Sequence, residues 1–418
     1  MIWPLSGAKA QADQQTREPS TGSTMQQPEP TVSRRISSSS ARDRKNKYGF
    51  SLGLLGLYDS NMFGSDPKDG LWAVAPSPRG FLNFGSRKSL LHLDYQLFYR
   101  IYPARRDLDS INHQGSIEYV RNVSRRTTFS VTDYVRSGPN DILSFTGEGL
   151  VPGTPDYQQV FFDTQHMFYN NLTSNITFQP TRKHRLQVSG YYQAYRYRDD
   201  SHEDTDAIEA KLKEEYQFSK QWLLLGEAGN EWIDSSEESR DGTIQRFMGG
   251  LAYRPGPNWR LEAKAGVERV DREAAKGYEP TYELGLTRET RLNRFDIRYN
   301  RESRFQIGLP DLNRYHSLSG YFDQRLNSWL SMHLLSRYYR TESGTYDDVD
   351  TLGGGAGFDF ALHKSLVASI FGHYVYQRSG SSISNQNLNS DRYIIIAGLT
   401  YMFPAARRER DTPIGLGR

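Results

Sequence analysis

Charged side chains of both signs recur at even spacings between residues 260 and 304. One set is Arg260, Glu262, Lys264 and Glu268, a second is Glu283 and Glu289, and a third is Arg294, Asp296, Arg298, Glu302 and Arg304. In an extended chain successive side chains point to opposite faces, so each set falls on one face of a strand. The chemistry such a ladder offers is non-covalent. It is either a hydrated wall that handles a polar or anionic solute, or an internal salt-bridge network that stiffens or plugs the wall. Asp141, Glu148 and Asp156 form a further group in an unusually apolar connection near residues 137–157, with Leu143, Phe145, Leu150 and Val151. Folded inward, that connection would be a constriction carrying its carboxylates toward the basic wall residues. Folded outward, it would be an external cap.

Covalent chemistry finds little support. Nine histidines are scattered along the chain with no H-E-x-x-H spacing, and no G-x-S-x-G elbow or phosphate-binding loop occurs. Ser369 and His373 share a face, but four residues of strand span about 13 Å, too far for a direct hydrogen bond. With no cysteine, thiolate metal sites, thiol nucleophiles and disulfides are excluded. The sequence therefore predicts no enzyme, no cofactor and no metal. The 52 basic and 49 acidic residues nearly balance, which argues against a nucleic-acid partner.

The elements that carry these charges are strands. Mean hydropathy is -0.72 and no run of about 18 apolar residues exists, so helical spans are excluded. Aromatic content is nonetheless 13%, led by 27 Tyr. A sheet facing lipid on one side and water on the other has this composition. Segment 393–403 shows it best: Tyr393, Ile395, Ala397, Leu399, Tyr401 and Phe403 form one wholly apolar face, which on a soluble edge would promote aggregation. Period-2 segments follow one another from Lys47. Segment 203–217 has helical propensity but keeps period 2, broken at Glu214, and reads as a strand. Near 166–171 the alternation slips by one, which predicts a bulge.

Short turns near residues 86, 124, 181, 220, 256, 292, 327 and 363 alternate with longer polar connections. The sequence thus predicts an all-β, transmembrane, up-and-down antiparallel barrel of about 18 strands, with 16 as the alternative count, over residues 47–403. An even count puts both termini on the periplasmic side. Long loops carry acidic pairs such as Asp199-Asp200, and short turns carry basic ones such as Arg125-Arg126. Outer-membrane lipid and lipopolysaccharide are the expected surroundings, the acidic loops either bridging divalent cations or simply solvated. Tyrosines at strand ends (Tyr99, Tyr102, Tyr191, Tyr192, Tyr195, Tyr197, Tyr338, Tyr339, Tyr374, Tyr376) fit an interfacial girdle, with stacking on sugar rings as the alternative for inward ones. Residues 1–46 read as a disordered arm in which Ala10-Gln11-Ala12 matches a signal-peptide cleavage site. Residues 404–418 read as a short periplasmic tail.

Residues 47–403 resemble the outer-membrane β-barrel families. The strand ending in Leu399, Tyr401 and Phe403 resembles the signal read by the barrel assembly machinery, although a 15-residue tail follows it here. With its opening strand Phe50-Ser51-Leu52-Gly53-Leu54 and its aromatic-rich hairpins, the chain is similar to the beta-barrel porin 2 group, many of whose members accompany exopolysaccharide synthesis and export loci. The resemblance implies a porin in the bacterial outer membrane, a passive conduit, with polysaccharide-export components as partners. Two other readings stay open: a barrel enzyme acting on lipid or polysaccharide, and a structural or assembly barrel plugged by its own charges.

Overall fold

The computed structural model describes residues 47–61, 70–86, 88–139, 166–198, 204–236, 241–272, 276–305, 312–342, 348–379 and 390–403. The expected arm and tail lie outside them. The first six strands are β1 Lys47–Asp59, β2 Leu71–Gly85, β3 Ser89–Arg100, β4 Ser110–Asn122, β5 Thr127–Pro139 and β6 His166–Phe178. The next six are β7 His184–Tyr197, β8 Thr205–Gln217, β9 Trp222–Ser235, β10 Gly242–Tyr253, β11 Trp259–Arg272 and β12 Lys276–Glu289. The last six are β13 Asn293–Phe305, β14 Leu312–Arg325, β15 Leu330–Glu342, β16 Val349–His363, β17 Leu366–Ser379 and β18 Ser390–Met402. Each strand pairs antiparallel with its neighbours in sequence, and β18 pairs with β1 from Ser51↔Met402 to Asp59↔Ile394. The result is a closed 18-stranded barrel, in which no sheet edge is left to aggregate. Both the start of β1 and the end of β18 lie at the end with the short turns.

Exposure separates the two faces. On β1, Leu52 and Leu54 are exposed while Leu55 and Leu57 are buried. On β18, Tyr393, Ile395, Leu399 and Tyr401 are exposed while Ile394 and Ile396 are buried. Large apolar side chains cover the outside of nearly every strand, and aromatic pairs mark its margins: Tyr58–Trp72 and Tyr374–Tyr393 at the loop end, Phe50–Phe403 at the turn end. Strands of 12–15 residues tilted as in membrane barrels cross a hydrocarbon band of about 25 Å. The chain is therefore a membrane-spanning barrel of the outer-membrane type and resides in that membrane.

Within segment 203–217, Thr205–Gln217 forms β8 despite its helical propensity. Ile208 and Leu212 face lipid and Lys211 turns inward, so closure of the sheet overrides local preference. The bulge expected near 166–171 does not occur, because β6 keeps continuous register with β5 and β7. The apparent slip comes from Asn170, an outward polar residue whose amide donates to Asp133 at 2.7 Å. Among the described residues a register shift falls instead between Ala361 and His363, where β16 turns into β17.

Backbones approach closely between β10 and β11. A Cβ on Gly266 would lie 1.9 Å from the Phe247 carbonyl oxygen, so no methyl fits without moving the backbone. Gly266→Ala is expected to lower unfolding free energy by about 1–3 kcal/mol. The readout is the urea midpoint of the barrel refolded in lipid vesicles, and an unchanged midpoint would contradict the close approach.

Candidate functional site: the barrel interior

The inward faces divide into three sectors. The first is charged and runs over β7–β13. Lys264 is its centre, with its ammonium 2.9 Å from Glu227, 3.7 Å from Glu262 and 2.5 Å from Glu283. Arg246 meets Glu268 at 2.5 Å, Glu302 at 3.5 Å and Glu209 at 3.8 Å. Arg260 meets Glu262 at 2.8 Å and Glu215 at 3.0 Å. Lys211 joins Glu209 to Glu227, and Arg298 holds Asp296 at 3.1 Å. Glu268 is fully buried and also accepts the Ser303 backbone N–H at 2.6 Å. These contacts desolvate the charges but compensate each with the opposite sign, the condition under which buried charge is tolerated.

Several bridges jump strands. Arg260 on β11 reaches Glu215 on β8, and Arg246 on β10 reaches Glu302 on β13. Three strand spacings are about 14 Å along the sheet, so the wall must be strongly concave and the side chains extended. The network thereby narrows this side of the lumen. A partly open pocket lies against it, lined by Arg185, Lys213, Glu215, Glu227, Arg260 and Lys264.

The sequence ladder is thus placed as follows. Arg260, Glu262, Lys264, Glu268, Glu283, Asp296, Arg298 and Glu302 belong to the charged sector. Glu289 and Arg294 face each other across β12–β13 beside the periplasmic turn, outside the network's centre. Arg304 sits on β13 opposite Asn313. Asp141, Glu148 and Asp156 lie outside the described residues. The charge extends beyond the strands where the sequence concentrated it: Arg185, Glu209, Lys211, Lys213, Glu215, Glu227 and Arg246 complete the sector. Their signal was the alternation Glu209, Lys211, Lys213, Glu215 on β8, which its helical propensity masked.

The second sector, on β3–β7, is polar and rich in tyrosines and amides, with Asp94 paired to Arg79 at 2.6 Å and Glu118 and Arg136 buried on β4 and β5. Tyr169 packs on Tyr195 with ring centroids 4.9 Å apart, and Tyr134 packs edge-on to Tyr169. Asn171 donates to the Tyr169 hydroxyl at 3.0 Å, Gln193 to the same hydroxyl at 3.2 Å, and Gln114 to Gln96 at 2.8 Å. Of the tyrosines singled out above, Tyr191, Tyr195, Tyr197 and Tyr339 turn inward. Tyr99, Tyr192, Tyr338, Tyr374 and Tyr376 turn outward, and Tyr102 belongs to the β3–β4 connection. Burial pushes the Tyr102 phenol pKa up.

The third sector is the seam. Leu55, Leu57, Ala73, Phe98, Phe371, Val375, Ile394 and Ile396 form one buried apolar cluster on β1, β2, β3, β17 and β18. Phe371 lies flat over β16, where a Cβ on either Gly355 or Gly357 would come within 2.5 Å of its ring. Glycine at both positions leaves room for this close packing. At the loop end, Asp59 and Arg392 form a buried bidentate ion pair, with Arg392 Nε donating at 2.8 Å and 2.9 Å. Arg100 stands near it.

His333 lies between two carboxylates, with Nδ1 2.8 Å from Asp323 and Nε2 3.1 Å from Asp359. Ser369 donates to Asp359 at 2.5 Å and not to a histidine, so the groups run hydroxyl–carboxylate–imidazole and not in the hydroxyl–imidazole–carboxylate order of a nucleophilic triad. Among the described residues no group of three His, Asp or Glu could hold a metal ion.

No family model matches the chain, and no curated protein matches it. Similar solved structures include the outer membrane protein OpdK from Pseudomonas aeruginosa, 12% identical with a TM-score of 0.44 over 85% of this chain and 98% of that one. They also include Pseudomonas aeruginosa OccK2 (OpdF), 11% identical at 0.46 over 86% and 98%, and the siderophore receptor PirA of the same organism, 8% identical at 0.43 over 86% and 81%.

Proposed function

We propose that this barrel is a passive outer-membrane channel for polar solutes, making no covalent change and needing no cofactor. The observation that carries this reading is the charged sector itself. Its ion pairs hold both signs in fixed positions on an inward face, where a hydrated solute can exchange water for protein groups without meeting a one-sign barrier. The finer reading is export of an exopolysaccharide. It draws support from the tyrosine- and amide-rich second sector, whose ring faces and amides offer stacking and hydrogen bonds suited to a hydroxyl-rich chain. Polysaccharide-export components would then be its periplasmic partners, and the barrel assembly machinery would read the strand ending in Leu399, Tyr401 and Phe403. One observation favours a second reading, a barrel closed by its own charges: bridges that span three strands narrow the wall.

Single-channel recording in planar bilayers separates the two. Open, weakly selective steps are expected, and a silent barrel would sink the channel reading. Arg298→Glu with Arg304→Glu should shift the reversal potential toward cation selectivity in a salt gradient. An unmoved reversal potential would remove these residues from the ion path.

A further inference from the structure

The β2–β3 ladder is interrupted in the middle. Pairing runs from Gly85↔Leu90 to Arg79↔Gln96, stops, and resumes only at a single bridge, Val74↔Ile101. The cause is chemical. At the bridge Val74 and Ile101 exchange both N–H···O bonds, at 3.0 Å and 2.9 Å. In antiparallel pairing the residues that donate toward a given neighbour alternate. The same register therefore gives residues 76 and 78 the next two donors toward β3. Both are proline, Pro76 and Pro78, and neither has an N–H. The ladder thus loses two consecutive donors while β1–β2 pairing continues unbroken past both prolines. The β12–β13 ladder is also incomplete, but there pairing simply ends toward the outer rim beyond Tyr282↔Arg301. The β2–β3 gap is closed above and below.

Its position matters as much as its cause. The gap lies between Trp72 of the outer aromatic margin and the lower half of β2, and exposed Val74, Leu82, Tyr95 and Tyr99 surround it on the lipid side. Directly behind it lie Ala75 and Phe98 of the apolar seam sector, beside the buried Arg100 and a 2.8 Å hydrogen bond that the Gln96 amide donates from β3 to Ser77 on β2; Ala73, Leu57, Ile394 and Ile396 continue the apolar cluster. A water-filled path for polar solutes gains nothing from such a wall. At the gap only this unladdered stretch of β2 and β3 separates the sector from the lipid-facing surface of the barrel.

We propose that the β2–β3 gap is a lateral portal through which the alkyl chain of a membrane amphiphile reaches the apolar sector of the interior. The chain would exchange one apolar environment for another, and entry would part the Gln96–Ser77 side-chain hydrogen bond but not the ladder bonds that the prolines have already removed. The proposal concerns a different wall from the charged sector and stands whether or not polar solutes cross.

The protein has no cysteine, so single-cysteine variants can be labelled without background. Ile396→Cys carrying a bimane fluorophore is placed in vesicles containing phosphatidylcholine brominated along its acyl chains. Controls are outward Ile395→Cys and inward Ser317→Cys, which lies about as far from its outer strand end on β14. Ala73→Cys serves as a second reporter should Ile396→Cys not fold, folding being read from heat-modifiable migration in a gel. The interior seam label is expected to be quenched almost as strongly as Ile395→Cys, and far more than Ser317→Cys. Restoring the two donors with P76A/P78A should bring it down to the Ser317→Cys level. A seam label as protected as Ser317→Cys in the otherwise native chain, or quenching that P76A/P78A leaves unchanged, would overturn the portal.

Discussion

Replacing Lys264 with Met should cost about 3–5 kcal/mol of barrel stability, because it strips the shared cation from buried carboxylates. The ammonium stands within 3.7 Å of three glutamates, and the side chains of Glu227 and Glu283 are 4% and 9% exposed. Removing the charge leaves like charges facing one another in a desolvated wall, with Lys211 3.6 Å from Glu227 as partial relief. The expected result is a large drop in the urea midpoint of the vesicle-refolded barrel. Adding Glu283→Gln should recover much of it, since one of the uncompensated charges then disappears. Equal midpoints for Lys264→Met and the native chain would show that the network contributes nothing to holding the wall.

Asp59→Asn should have an effect of similar size, about 3–5 kcal/mol, by leaving the buried Arg392 guanidinium without its carboxylate. This pair joins the first strand to the last, residues 333 positions apart, at the loop end of the seam. Its surroundings are tied to the same closure: Asn61 donates its backbone N–H to Asp59 at 3.1 Å, and Ser60 and Tyr393 exchange hydrogen bonds. A seam weakened there should open first on heating, so the variant is expected to lose its folded gel mobility at a lower temperature. The double variant Asp59→Asn with Arg392→Gln removes both charges and should be less damaged than either single change. If the effects of the two single changes simply add, the pair is not coupled and the latch role fails.

Much of the architecture was legible because it is local. Strand period, turn spacing and the lipid-facing set Tyr393, Ile395, Leu399, Tyr401 depend on neighbours within a few residues, and a barrel repeats that pattern without long-range exceptions. Where local signals conflicted, closure prevailed. Glu209, Lys211, Lys213 and Glu215 looked helical in composition, yet they line the interior because β8 must pair with β7 and β9. Asn170 looked like a register slip, yet it is an outward residue paired with Asp133.

By itself, then, the sequence determined the fold class, an even strand count of 18 or 16, the alternation of lipid-facing and inward faces and the presence of charge inside. The tertiary structure decided which charges meet. Arg260 finds Glu215 three strands away, and Asp59 finds Arg392 only when the ring closes. It also decided that the interior is three sectors rather than one ladder, and that Pro76 and Pro78 aim their missing donors at β3 and not at β1. The physical reason is common to all three. A strand's own alternation fixes which way a side chain points, whereas its partners are fixed by register and by the curvature of the closed sheet, and neither is written in any single segment.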